Sequence, residues 1–83
     1  MEYESVIVVL AADAGTVPLE RDALDALEGI AVTWVRVERE GEVACLAARV
    51  RHLDPPPGFG ERVRRWGGAR GWAVTVAPSG PPR

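Results

Sequence analysis

Two β-rich segments between Ile30 and Leu53 flank Glu40-Gly41, and this hairpin limits what the chain can fold into more than any other feature. Glycine supplies the positive φ that a tight turn needs, and the flanking residues alternate as strands do. With Glu40-Gly41 as the loop, Arg39 faces Glu42, Val37 faces Ala44, Val35 faces Leu46, Thr33 faces Ala48 and Ala31 faces Val50. That makes one nearly continuous apolar face. A one-residue slip would mix core and solvent sides, so the pattern argues for this pairing. On the other face Glu38 pairs with Val43, Arg36 with Cys45, Trp34 with Ala47, Val32 with Arg49 and Ile30 with Arg51. Its rim is charged. Its centre, Val32, Trp34, Cys45 and Ala47, is apolar and needs a cover.

The rest of the chain builds around this hairpin. Residues 3–12 form a β-branched run with Val6, Val8 and Leu10 on one side and Ile7, Val9 and Ala11 on the other. A strand apolar on both sides belongs at the centre of a sheet. After the loop at 13–17, Pro18 suits the first turn of a helix, where its missing N–H has no partner to lose. From Pro18 to Glu28 the residues Leu19, Ala23, Ala26 and Leu27 share a face that Leu24 flanks, and Gly29 is placed to end the helix. The prolines of DPPPG, 54–58, exclude regular structure there. Phe59 to Trp66 reads as a second helix, which GGARG at 67–71 breaks. Residues 72–77 alternate as a last strand, with Trp72, Val74 and Val76 inward.

The order β-α-β-β-α-β is the ferredoxin-like plan: an α+β sandwich with a four-stranded antiparallel sheet and two helices on one face. Eighty-three residues make one domain, 1–77, followed by a loose Pro/Gly tail at 78–83. Two helices shield only one side of the sheet. The other side, with Val32, Trp34, Cys45 and Ala47, is expected to meet a second copy, because symmetric homo-oligomers, dimers first, are the commonest assemblies.

Composition narrows the function classes. All ten basic residues are arginine, and lysine, asparagine and glutamine are absent. That bias suggests a GC-rich genome and would suit a hot environment. A single cysteine and a single histidine give no basis for a metal site or a cofactor. The longest apolar run, Val6 to Ala12, is too short to span a bilayer, and a cytoplasmic location is expected. Residues 1–42 carry ten acids against three arginines, and residues 43–83 carry seven arginines against two acids. Arg62, Arg64, Arg65 and Arg70 are accordingly a candidate anion-binding edge, with surface ion pairing as the alternative.

The loop after the first strand, Asp13 to Thr16, joins a strand's carboxyl end to a helix start, a place that favours anions. Asp13 and Gly15 resemble the acidic and glycine positions of the first loop in ACT-type ligand-sensing domains, although Ala14 stands where that family usually has proline. The resemblance implies a regulatory domain that binds a small molecule near Asp13, Gly15 and Thr16 at a dimer interface. Other motifs point less far. GFGERV at 58–63 lacks the third glycine and preceding strand of a dinucleotide fingerprint. His52 near Asp54 has no nucleophile beside it, and Cys45 reads as a small buried hydrophobe. The acylphosphatase arrangement needs an asparagine that this chain lacks. A non-catalytic interaction or regulatory module is therefore the leading expectation. Single-stranded RNA binding through Trp34, Arg36, Arg49 and Arg51 is the alternative, opposed by a pI near 5.3. A small enzyme comes third.

Overall fold

In the computed structural model, which describes residues 2–12 and 19–79, β1 (Tyr3–Ala11) runs through the middle of a four-stranded sheet. It pairs antiparallel with β3 (Val43–His52) on one side and β4 (Ala73–Pro78) on the other. The outer strand β2 (Ile30–Glu40) pairs with β3, giving the order β2-β3-β1-β4. A 3-10 helix (Arg21–Ala26) and the helix α1 (Pro56–Gly68) supply the second layer. This is the α+β ferredoxin-like architecture that the element order implied.

One side of the sheet is the core. Ile7, Val9 and Ala11 of β1 and Ala44, Leu46, Ala48 and Val50 of β3 are buried against Leu24 and Leu27 of the first helical segment and Phe59, Val63 and Trp66 of α1. Val35 and Val37 of β2 and Val74 and Val76 of β4 pack against the same cluster. Trp72 lies just before β4, buried, edge-on to Trp66 with ring centroids 5.3 Å apart.

The hairpin register differs from the one read off the sequence. The loop is Gly41-Glu42, with Glu40 opposite Val43, Arg39 opposite Ala44, Val37 opposite Leu46 and Val35 opposite Ala48. Gly41 has φ +62°, and Glu42 is not in the positive-φ region. A loop with glycine at its first central position and an ordinary second residue is the II′ pattern. The pairing is therefore shifted by two residues. An even shift leaves every side chain on its expected side, so the apolar pattern could not reveal it.

A second departure does change sides. Between Val32 and Trp34 the ladder skips Thr33, and from there Val32 pairs with Val50 and Ile30 with His52. This is a β-bulge, which adds one residue to one strand and reverses the alternation beyond it. Val32 is thereby turned to the helix side, away from Trp34. The Thr33 hydroxyl donates to the Arg49 carbonyl at 3.1 Å, holding the bulge to β3.

Both helical segments also depart from expectation. Among the described residues, 19–29 hold only the 3-10 helix (Arg21–Ala26) instead of an α-helix extending to Glu28. Three residues per turn stack positions three apart, so Leu24 and Leu27 point inward together while Ala26 stays exposed. Arg39 steadies this segment from β2, donating to the Leu19 carbonyl at 3.3 Å. Conversely, α1 begins inside the proline run. Pro56 and Pro57 occupy its first turn, where N–H groups have no intrahelical acceptor, and the Pro55 carbonyl accepts the Phe59 N–H at 3.0 Å. It then continues through Gly67 and Gly68 before Gly71, at φ +76°, reverses the chain. At its other end the sheet extends into the expected tail: Pro78 closes β4 and the Ser79 N–H bonds the Glu4 carbonyl.

Candidate functional site on the open sheet face

The side of the sheet without helices is built in rows that cross all four strands. Trp34, Arg49, Val6 and Ala77 form one row. Arg36, Ala47, Val8 and Thr75 form the next, and Glu38, Cys45, Leu10 and Ala73 the third. The two middle columns are apolar apart from Arg49, because β1 and β3 alternate buried core residues with Val6, Val8, Leu10, Cys45 and Ala47 outward. Trp34 at 49% and Leu10 at 47% exposure are large hydrophobic side chains left open to solvent. Val43, at the hairpin end, is also exposed. The Trp34 indole stands on the outer edge beside Thr33, Arg49 and Arg51.

Charges ring this patch in pairs of opposite sign. Arg36 meets Glu38 along β2. Arg49 lies 3.6 Å from Glu4, and Arg51 lies 3.9 Å from both Glu2 and Glu4. These groups are largely solvated, so each pair contributes little to stability. Their effect is that the arginines of the face are already neutralised locally.

Of the residues singled out in the sequence, Trp34, Cys45 and Ala47 share the open face, whereas Val32 does not. Trp34 sits opposite Arg49 and not Ala47, so the apolar patch is centred on β1 and β3 with the indole at its margin. Of Arg62, Arg64, Arg65 and Arg70, two are engaged within the helix layer, while Arg62 and Arg65 line one shallow surface depression with Trp66. Arg62 bonds Asp54 at 3.3 Å and lies over the Phe59 ring. Arg70 donates to the Trp66 carbonyl at 2.8 Å and covers both Trp66 and Trp72. Asp13, Gly15 and Thr16 lie outside the described residues. Sequence reasoning did not single out β4's outward strip, Ala73, Thr75 and Ala77, although the inward alternation of Val74 and Val76 implies it.

His52 and Ser5 form a polar pair that sequence could not join across 47 positions. The Ser5 hydroxyl lies 2.8 Å from His52 Nε2, and His52 Nδ1 lies 2.8 Å from the Asp54 carbonyl. A carbonyl only accepts, so Nδ1 carries the proton and Nε2 accepts from serine. Both residues are buried, with Phe59 stacked on the imidazole. A substrate has no path to this hydroxyl, so the pair is structural. Among the described residues no group of three or more His, Cys, Asp or Glu side chains is placed to hold a metal ion. No helix among them is long and apolar enough to cross a membrane.

No protein-family model and no curated protein sequence matches the chain. Solved structures do resemble it. An ACT domain protein from Streptococcus pneumoniae superimposes with a TM-score of 0.71 at 13% identity, covering 92% of this chain and 89% of that one. A candidate glycine cleavage system transcriptional repressor gives 0.74 at 12% identity, covering 98% of this chain and 48% of that one, so the chain spans about half its length. A de novo designed protein, Foldit4, gives 0.57 at 12% identity over 99% of this chain. At such identities the likeness establishes the fold and nothing finer. The match to a designed protein underlines that a fold alone assigns no activity.

Proposed function

We propose that this chain is a small non-catalytic regulatory domain that pairs with a second copy through the open face of its sheet. The observation that carries the reading is the contiguous apolar patch of β1 and β3, with Leu10 and Trp34 about half exposed at its margins. Soluble chains seldom leave such a face uncovered. Val6, Val8, Leu10, Trp34, Cys45 and Ala47 form the contact. The segment bearing Asp13, Gly15 and Thr16 is the place for a small ligand, a reading supported by the likeness in fold to an ACT domain protein. Solution mass tests the pairing. A dimer at micromolar concentration is expected, and a monomer across the accessible range would remove the proposal's basis. Thermal-shift measurements with a panel of amino acids test the ligand: stabilisation that Asp13→Ala abolishes supports it, and no shift with any member rejects it.

Single-stranded RNA binding draws on one specific observation: Trp34, Arg36, Arg49 and Arg51 do share the outer face. Stacking on an aromatic with flanking arginines is how such modules work. Against it, every one of those arginines already has a glutamate beside it. Retardation of a labelled single strand at low salt, lost on Trp34→Ala, would favour this alternative over dimerisation.

A further inference from the structure

The open face is lopsided across the strands. Its β2 edge carries the largest side chain, Trp34, while its β4 edge carries only Ala73, Thr75 and Ala77, all exposed. The strip along β4 is therefore a shallow trough beside the Val6 and Val8 ridge, and the indole on the far edge is a protrusion. Knob and trough lie on the same surface, at the same level along the strands, because Trp34 and Ala77 belong to one row.

We propose that two copies pack face to face about a two-fold axis parallel to the strands, so that each Trp34 indole seats on the Ala77–Thr75 strip of its partner. The inference rests on the pairing proposed above and specifies its geometry. A two-fold axis running between β1 and β3 exchanges the two edges while leaving each row at its own level. The β2 edge of one copy then covers the β4 edge of the other, and a single surface supplies both halves of the fit, as an isologous contact requires. A two-fold axis across the strands instead lays bulky edge on bulky edge and small on small, leaving a wedge of empty space above β4. Close-packed interfaces do not tolerate such a gap.

Size and charge agree with a second copy as the occupant. With strands about 4.8 Å apart, β1, β2 and β3 roughly 30 Å long and the six-residue β4 roughly 20 Å long, the flat area is on the order of 500 Å², near the lower end of the per-partner area of specific interfaces, about 600–1,000 Å². The charged groups sit at the ends of the rows or toward Glu4. Arg49 directs its guanidinium to Glu4, leaving its aliphatic stem to cover the partner's sheet. No unpaired charge need be buried.

The test separates this geometry from the pairing itself. In a Cys45→Ala background, Arg36→Cys on β2 and Thr75→Cys on β4 are made in separate chains, mixed, and treated with a bis-maleimide spanning about 10 Å, the spacing of stacked sheets. A mixed cross-linked dimer is expected, with little Arg36→Cys self-product. Self-linked Arg36→Cys dimers, or a dimeric mass with no mixed product, overturn the geometry and leave the pairing standing. A monomeric mass for the unmodified chain removes the pairing first. In parallel, Ala77→Arg, which leaves the core untouched, is expected to weaken association at least as much as Trp34→Ala, each by roughly thirtyfold, the scale of an interface anchor. Unchanged dimer affinity in Ala77→Arg would likewise overturn the geometry.

Discussion

The imidazole of His52 lies flat against the ring of Phe59, with centroids 3.6 Å apart and planes within 9°. This contact ties the end of β3 to the first turns of α1 across the proline run. Its polar edges are used up on Ser5 and the Asp54 carbonyl. Burial pushes the pKa of His52 below its ordinary value of 6.5. The Asp54 carbonyl and carboxylate oppose that shift, and Arg62 adds to it.

Acid should therefore loosen the fold. The folded chain holds His52 neutral, whereas the unfolded chain protonates it near 6.5. Below that value the unfolded state binds more protons, so stability is fully present above it and declines as pH falls toward the lower folded pKa. One proton limits the slope to about 1.4 kcal/mol per pH unit. Urea midpoints measured from pH 7.5 downward should fall in this window for the native chain, and the slope should flatten in His52→Leu. An equal slope in both chains would assign the effect to another group.

Two glycines of α1 should respond to alanine with opposite signs. A Cβ on Gly67 would stand 2.1 Å from Val74 Cγ2, whereas one on Gly58 meets nothing within 4 Å. The first is therefore where helix and sheet touch, and overpacking there costs about 1–3 kcal/mol. The second is a helical position where alanine gains roughly 0.5–1 kcal/mol by restricting the unfolded chain. Denaturation of the two single variants checks both, and Val74→Ala should recover part of the Gly67→Ala loss. If Gly67→Ala unfolds at the native midpoint, α1 cannot lie this close to β4.

Arg70 closes the far end of the helix layer. Its guanidinium carbon stands 5.3 Å from the Trp66 ring centre and 5.8 Å from that of Trp72, and a nitrogen bonds the Trp66 carbonyl. Removing it in Arg70→Ala forfeits a hydrogen bond and cation–π contacts, about 1–2 kcal/mol together. Lysine lacks the planar fork that serves ring and carbonyl at once, so Arg70→Lys should recover less than half. Equal stability of native chain and alanine variant would show the contacts to be incidental.

The parts that were legible in the sequence are those that depend on parity. Alternation in β1 and β3 places Ile7, Val9, Leu46 and Val50 inward and Leu10 and Cys45 outward, whatever the pairing offset. The bulge at Thr33 was not legible, because no residue type there demands it, and it alone removes Val32 from the open face. Pro56 and Pro57 read as breakers because a run of prolines excludes a helix interior. The first turn, where they sit, is the one place a helix accepts them. The link between Ser5 and His52 is made by the β1–β3 ladder, so no local pattern carries it. The face's trough along β4 needed the sheet order before Ala73, Thr75 and Ala77 could be seen beside Val6 and Val8.

The hairpin loop offers the sharpest check on the two-residue shift. With Gly41 at the first loop position and φ +62°, alanine there must adopt a left-handed backbone at a cost of about 1–2 kcal/mol. Changing Gly41-Glu42 to Asn-Gly, through Gly41→Asn with Glu42→Gly, converts the turn to the I′ form, which two-residue hairpins also favour. The strands then keep their alignment. The double variant should stay within about 0.5 kcal/mol of the native chain, as expected for a surface change that keeps the two-residue loop and the strand alignment, and retain cross-strand amide contacts between Glu40 and Val43. A loop at Glu40-Gly41 predicts otherwise, since the same change would place glycine at the first paired position of β3 and asparagine second in the turn. Loss of the Glu40–Val43 contacts in the native chain, or collapse of the Asn-Gly variant, would restore the alignment first read from the sequence.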